Sequence, residues 1–167
     1  MGTGECAHQE SKEAATILHQ LLEAGYPADH ALRSLNSLCA LRGQAGAVTV
    51  DLAQIDLQTG KITLYKWGAA PSWLLTRAGP EKIGTAATPP GLSVTENRET
   101  VDRLSLRRGE TLILLSDGVD GEAAMRRAGE LTNEEPGEMA SKVLRFGRGT
   151  GTDDATAAVI RLTPVTL

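Results

Sequence analysis

An α+β fold, with helices covering the outer faces of packed antiparallel sheets, is predicted by three features of the sequence. Apolar residues recur at helical spacing near both ends of the chain, they alternate with polar residues in between, and short Gly-containing turns return successive strands upon one another.

Ala14, Ile17, Leu18, Leu21 and Leu22 fall on one face of a helix running from about Glu5 to Ala24, and Gly25 follows as a left-handed cap. Pro27 stands where a second helix can begin, because its fixed φ suits the first turn and its missing N–H is not needed there. Ala31, Leu32, Leu35, Leu38 and Leu41 share a face of that helix, Gly43 follows its end, and the two helices make a hairpin. From Ala47 the period falls to two. Val48, Val50 and Leu52 alternate, the turn Gln58-Thr59-Gly60-Lys61 follows, and Ile62 and Leu64 resume the alternation as a β-hairpin. Further strands are expected at Ser72 to Thr76, Glu99 to Leu106 and Thr111 to Ser116, the last two joined by the tight turn Arg107-Arg108-Gly109-Glu110. The prolines of Ala86-Ala87-Thr88-Pro89-Pro90-Gly91 make that stretch a loop, too short to separate domains. Helical spacing returns at Gly121 to Gly129 and Gly137 to Phe146, and a final strand runs from Ala157 to Leu162.

With 167 residues and 41% hydrophobic content, the chain can bury roughly two thirds of its surface around one core. Residues 1–167 are therefore expected to form a single domain, its core aliphatic because aromatics make up only 3% of the chain. The formal charge of −4, with Lys and Arg dispersed, argues against nucleic acid or an anionic membrane as the main partner. Proteins or small molecules are the expected partners. Cys6 and Cys39 lack CxxC spacing and lie on predicted helices, which fits a reduced, cytoplasmic protein better than a disulfide framework or zinc site. No apolar run approaches the roughly 18 residues that a membrane span needs.

Two acidic motifs carry the chemistry: Leu112-Ile113-Leu114-Leu115-Ser116-Asp117-Gly118 and Gly151-Thr152-Asp153-Asp154-Ala155-Thr156. The first ends a fully apolar strand and the second precedes one, so each presents carboxylate at the end of a sheet element. Carboxylate oxygens suit magnesium or manganese, and two such ions about 3.5–4 Å apart can share a hydroxide and clamp a phosphate for in-line attack. Either motif alone also reads as a turn, with the Asp side chain bonding nearby amides and Gly118 at positive φ. Of two adjacent aspartates, Asp154 also suits a solvating or capping role. Arg145 and Arg148, just before the second motif, have the charge to attract phosphate, although a surface salt bridge is the commoner use. His8 reads as a surface or capping residue, Cys39 as core, Glu10 and Glu13 as a solvated helix face, and Trp67 and Trp73 as packing at a sheet edge.

Met1-Gly2-Thr3-Gly4-Glu5-Cys6-Ala7-His8-Gln9-Glu10-Ser11 resembles a segment of the stage II sporulation protein E phosphatases, bacterial members of the metal-dependent (PPM, type 2C) serine/threonine protein phosphatases. The likeness continues in family order through Leu21-Leu22-Glu23-Ala24-Gly25, Asn36-Ser37-Leu38, Leu41-Arg42, Asp51-Leu52-Ala53-Gln54-Ile55-Asp56-Leu57 and Gly68-Ala69-Ala70-Pro71-Ser72. It takes in both acidic motifs and so covers essentially the whole chain. The resemblance implies a four-layer αββα sandwich of antiparallel sheets, with manganese or magnesium at one edge of the two sheets. Water would attack phosphoserine or phosphothreonine directly, without a phosphoenzyme. Residue by residue, Asp117 would hold one metal and Asp153 the other, Gly118 would permit the turn, and Asp154 would be a structural group behind them. The first two helices match a segment that acts as a regulatory switch in this subfamily, which makes Gly4, Glu10, Ser11 and Asn36 switch candidates. The substrate implied is a phosphorylated regulatory protein of the anti-anti-sigma type, a sporulation and sigma-factor function.

The family pattern is Asp-Gly-Met-Gly, and this sequence opens at its Met. The Asp that bridges both ions, the Gly whose carbonyl joins it, and the strands before them are absent from the 167 residues. The chain is therefore expected to be an N-terminally truncated domain with little activity alone, and its uncovered sheet edges favour a homo-oligomer. Asp117-Gly118-Val119 also runs into Asp120 with one residue fewer than the family pattern, so the approach of Asp120 to a metal stays open. The alternative is a catalytically inactive phosphatase-like module that binds a regulatory partner without turnover.

Overall fold

The computed structural model describes residues 5–42, 47–84, 88–92, 100–148 and 153–162. Its strands form two sheets, of order β1-β2-β5 and β4-β3-β6-β7, numbered along the chain as β1 (Val50–Ile55), β2 (Lys61–Trp67), β3 (Ser72–Thr76), β4 (Gly79–Ile83), β5 (Thr100–Ser105), β6 (Thr111–Leu115) and β7 (Ala157–Ile160). Contacts divide the chain into two units that interleave in sequence. Residues 1–54, 65–69 and 86–100 form one, and residues 55–64, 70–85 and 101–167 the other. Among the described residues, no helix is long and apolar enough to cross a membrane.

The first unit holds the helical hairpin. Helix α1 (Glu5–Glu23) stops at Gly25, whose φ of 84° needs a glycine. There the Gly25 N–H donates to Leu22 and the Tyr26 N–H to Leu21, at 3.0 and 3.1 Å. Pro27 then starts α2 (Ala28–Leu41), as its fixed φ allows; the expected stop at Gly43 lies outside the described residues. Ala14 and Leu18 of α1 and Ala31, Leu32, Leu35 and Cys39 of α2 form a buried cluster with Val48 and Trp67. Burial pushes the Cys39 thiol above its ordinary pKa. Gly68, at φ 70°, and Gly91, at φ 88°, let the 88–92 segment lie close: a Cβ on Gly68 would meet Pro89 at 2.4 Å, and one on Gly91 would meet Cys39 at 2.9 Å.

The second unit contains the four-stranded antiparallel sheet. Strand β6 lies between β3 and β7, with Trp73 opposite Ile113 and Leu115 opposite Ala157. A central position explains its unbroken apolar run, since four of its five residues are buried. Trp73, Leu75, Ile113 and Leu115 pack with Val119, Ala124, Met125, Leu131, Met139 and Val143 in the core of this unit. Of those last residues, Ala124 and Met125 belong to α3 (Gly121–Met125), Met139 and Val143 to α4 (Pro136–Phe146), Val119 precedes α3, and Leu131 follows a 3-10 turn (Ala128–Glu130).

Three points differ from expectation. The helix expected from Gly121 to Gly129 is broken, because after Met125 the chain tightens: Arg127 N–H donates to Ala124 and Glu130 N–H to Arg127, both three residues back. Strand β4 was not expected at all. It pairs with β3 on one side only, which tolerates the missing N–H of Pro80. Trp67 and Trp73 are core residues, 1% and 5% exposed, rather than sheet-edge packing.

Candidate metal centre

The site is built at the ends of β6 and β7. The antiparallel register brings Leu115 opposite Ala157, so the residues after β6 meet those before β7. Ser116 clamps the junction: its N–H donates to the Thr156 carbonyl at 3.0 Å, and its hydroxyl accepts the Thr156 N–H at 2.9 Å. That hydroxyl also donates towards the Asp154 carbonyl at 3.5 Å. Val119 N–H then donates to Ser116 at 3.1 Å, closing a β-turn with Asp117 and Gly118 at its centre.

Gly118 does not have the positive φ that an isolated Ser-Asp-Gly turn suggests. Its role is close approach. A Cβ at this position would lie 2.2 Å from the Asp154 carbonyl oxygen and 2.9 Å from its carbon, so only glycine admits the second acidic loop. Main chain, rather than carboxylate, is what Asp154 brings to this contact. Asp117, Asp153 and Asp154 are all exposed, and one Asp153 carboxylate oxygen accepts the Asp154 N–H at 2.9 Å.

Asp120 has a different local task. Its Oδ1 accepts the Ala123 N–H at 2.9 Å and caps α3, which gives this carboxylate a structural role of its own. The donor chemistry of Asp117 and Asp153 fits a hard ion, since both offer carboxylate oxygen in solvent at two loops fixed against each other. Two carboxylates are a partial set. Among the described residues no group of three His, Cys, Asp or Glu side chains is placed to hold a metal.

The switch candidates lie in the helical unit, while Asp117 and Asp153 lie in the sheet unit. Gly4 falls outside the described residues and Ser11 is exposed. Glu10 stands 3.6 Å from the Arg42 guanidinium, which bonds Glu13 at 2.5 Å. That bond to Arg42 is the main reason the Glu13 carboxyl is held below its ordinary range. Asn36 is 3% exposed in α2, and its Oδ1 accepts the Gly91 N–H at 2.9 Å. Sequence reasoning placed Ser116 in the first acidic motif without a role, although its hydroxyl holds the two loops, and it passed over Gly147, which fixes the chain beside Asp120 and belongs to no chemical motif.

The family profile of Stage II sporulation protein E (SpoIIE) matches residues 1–163. Two relatives, the Stage II sporulation protein E of Priestia megaterium and that of Bacillus subtilis strain 168, are 34% and 31% identical over 176 aligned positions. Each alignment takes in 97% of this chain, but only 30% and 21% of the relatives, so the chain spans less than a third of their length. Among solved structures, the PP2C phosphatase domain of SpoIIE from B. subtilis, determined with a fragment of its regulatory domain, matches with a TM-score of 0.80. The identity there is 29%, over 96% of this chain and 52% of that one. The mixed helices and antiparallel sheets of this chain are those of the PPM fold.

Proposed function

Since the chain belongs to the stage II sporulation protein E family of PPM-type serine/threonine protein phosphatases, we propose that it carries half of a two-metal site that hydrolyses phosphoserine or phosphothreonine on a regulatory protein. The observation that carries this reading is the docking of the Asp117 turn on the Asp153–Asp154 loop through Gly118. Asp117 and Asp153 would each hold one manganese or magnesium ion. Such ions, when bound, supply an attacking water of lowered pKa and positive charge for the phosphoryl oxygens. The chain's own part is to hold the two carboxylates at a fixed spacing. Ser116 and Gly118 do so through main-chain contacts, and Asp154 serves as the surface on which Gly118 rests. The substrate we favour is a phosphorylated anti-anti-sigma protein, and the α1–α2 hairpin, with Glu10, Ser11 and Asn36, is the segment proposed to regulate the site from within the cytoplasm.

Two carboxylates leave a pair of ions short of ligands and of charge to screen their repulsion. The 167 residues by themselves are therefore expected to turn over slowly. The test is manganese-dependent phosphate release from a phosphoserine peptide, measured on the chain together with any residues its gene encodes before Met1. Activity is expected to fall by at least about 100-fold in Asp117→Asn and in Asp153→Asn. Manganese binding without turnover would favour the inactive regulatory module. Calorimetry that finds no manganese binding, unchanged in Asp117→Ala, would leave the aspartates as turn formers.

A further inference from the structure

Resting on the phosphatase reading of the Asp117–Asp153 site, we infer that Arg148 is the side chain that binds the phosphoryl oxygens of the substrate. Its position is fixed by the main chain. Gly147 ends α4 with its N–H donating to Val143 at 2.8 Å, and its carbonyl accepts the Asp120 N–H at 2.9 Å. Gly147 is buried, and a Cβ there would lie 2.6 Å from Val119 Cγ1 and 2.9 Å from the Asp120 carbonyl oxygen. Only a glycine lets the chain run this close to the residues that follow the Asp117 turn. Arg148 comes next and pairs with Val119 in an antiparallel bridge. Bridged Cα atoms are about 4.5–5.5 Å apart and two residues of chain reach at most about 7 Å, so the Arg148 backbone lies within about 12 Å of that of Asp117.

Four other cations of this region are engaged. Arg127 makes two bonds to Glu130, at 2.7 and 2.9 Å, and its guanidinium lies 3.8 Å from the centre of the Phe146 ring. Arg145 covers the same ring at 5.1 Å. Lys142 pairs with Glu134, and Arg161 donates to Thr111 Oγ1 at 3.0 Å and to the Glu134 carbonyl at 2.7 Å. Arg148 is exposed and makes no ion pair among the described residues. Around it, Asp117, Asp120, Asp153 and Asp154 are exposed too, and a phosphate dianion approaching them meets repulsion that a guanidinium offsets. Its planar fork also matches two phosphate oxygens at once, as an ammonium does not.

The assignment is tested by calorimetric titration of inorganic phosphate, with manganese present, into the chain and any residues its gene encodes before Met1; manganese affinity is measured separately for each variant. Arg148→Gln is expected to weaken phosphate binding by about tenfold or more, with Arg148→Lys in between and manganese affinity within about twofold of the parent. Arg126→Gln, which removes an exposed guanidinium just past α3, is expected to leave phosphate binding unchanged. Equal phosphate affinity in Arg148→Gln and the parent overturns the assignment. So does an equal loss in Arg126→Gln, which would mark general charge, and so does a parent protein that binds no phosphate. Phosphate binding that depends on Arg148, in a protein that hydrolyses no phosphoserine peptide, instead sinks the phosphatase reading and leaves the assignment standing.

Discussion

A methyl group at position 118 would sit 2.2 Å from the Asp154 carbonyl oxygen, closer than any real side chain stands to a backbone atom. Gly118→Ala must therefore push the Asp153–Asp154 loop away from the Asp117 turn. A cost of about 1–3 kcal/mol in unfolding free energy is expected from overpacking. Manganese affinity is expected to fall by at least about tenfold, since the ligands depend on geometry set within fractions of an ångström. Denaturant titration and calorimetry check both, and an alanine variant that matches the parent in each would show that the loops are not docked. The aspartates themselves were legible in the sequence because residue type and flanking apolar strands announce them. The reason for Gly118 was not, because it lies in a partner loop distant along the chain, and a turn residue's neighbours across a sheet have no local signature.

Asp120 shows how an element can use a carboxylate that its motif also offers to a metal. Its carboxylate caps α3, so Asp120→Ala is expected to cost about 1 kcal/mol of stability while leaving manganese affinity within about twofold. A large loss of manganese binding with stability intact would reverse that assignment and return Asp120 to the metal. At this scale the hairpin of α1 and α2 and the strands β3 and β6 were readable from spacing, because each buries one face or lies wholly within its core. Strand β4 was hidden by Pro80, Glu81 and Lys82, an edge composition that spacing reads as loop. The break after α3 was hidden for another reason: a switch from four-residue to three-residue hydrogen bonds leaves apolar spacing nearly intact over so short a stretch.

Over the whole chain, the two units exchange the backbone within a single strand. β2 carries Leu64 in one and Tyr65 in the other. A strand cannot melt in half without exposing the hydrogen-bonding groups of the rest, so the units are expected to unfold together. The chain supplies its own reporters, as Trp67 lies in the helical core and Trp73 in the sheet core. Trp67→Phe and Trp73→Phe each leave one fluorophore, and their urea transitions are expected to coincide. Midpoints separated beyond the difference in stability measured by circular dichroism on the same variants would show independent units. Such interleaving was out of reach of a reading in local windows, since it follows from pairings between distant segments.

The contact of Gly118 with the Asp154 main chain also bears on how an ion is captured. The loop-closure entropy of bringing Asp117 near Asp153 is lost when the chain folds, before any ion arrives. Ion entry then orders two side chains rather than two loops, so its heat-capacity change should be small, unlike that of a site that folds around its metal.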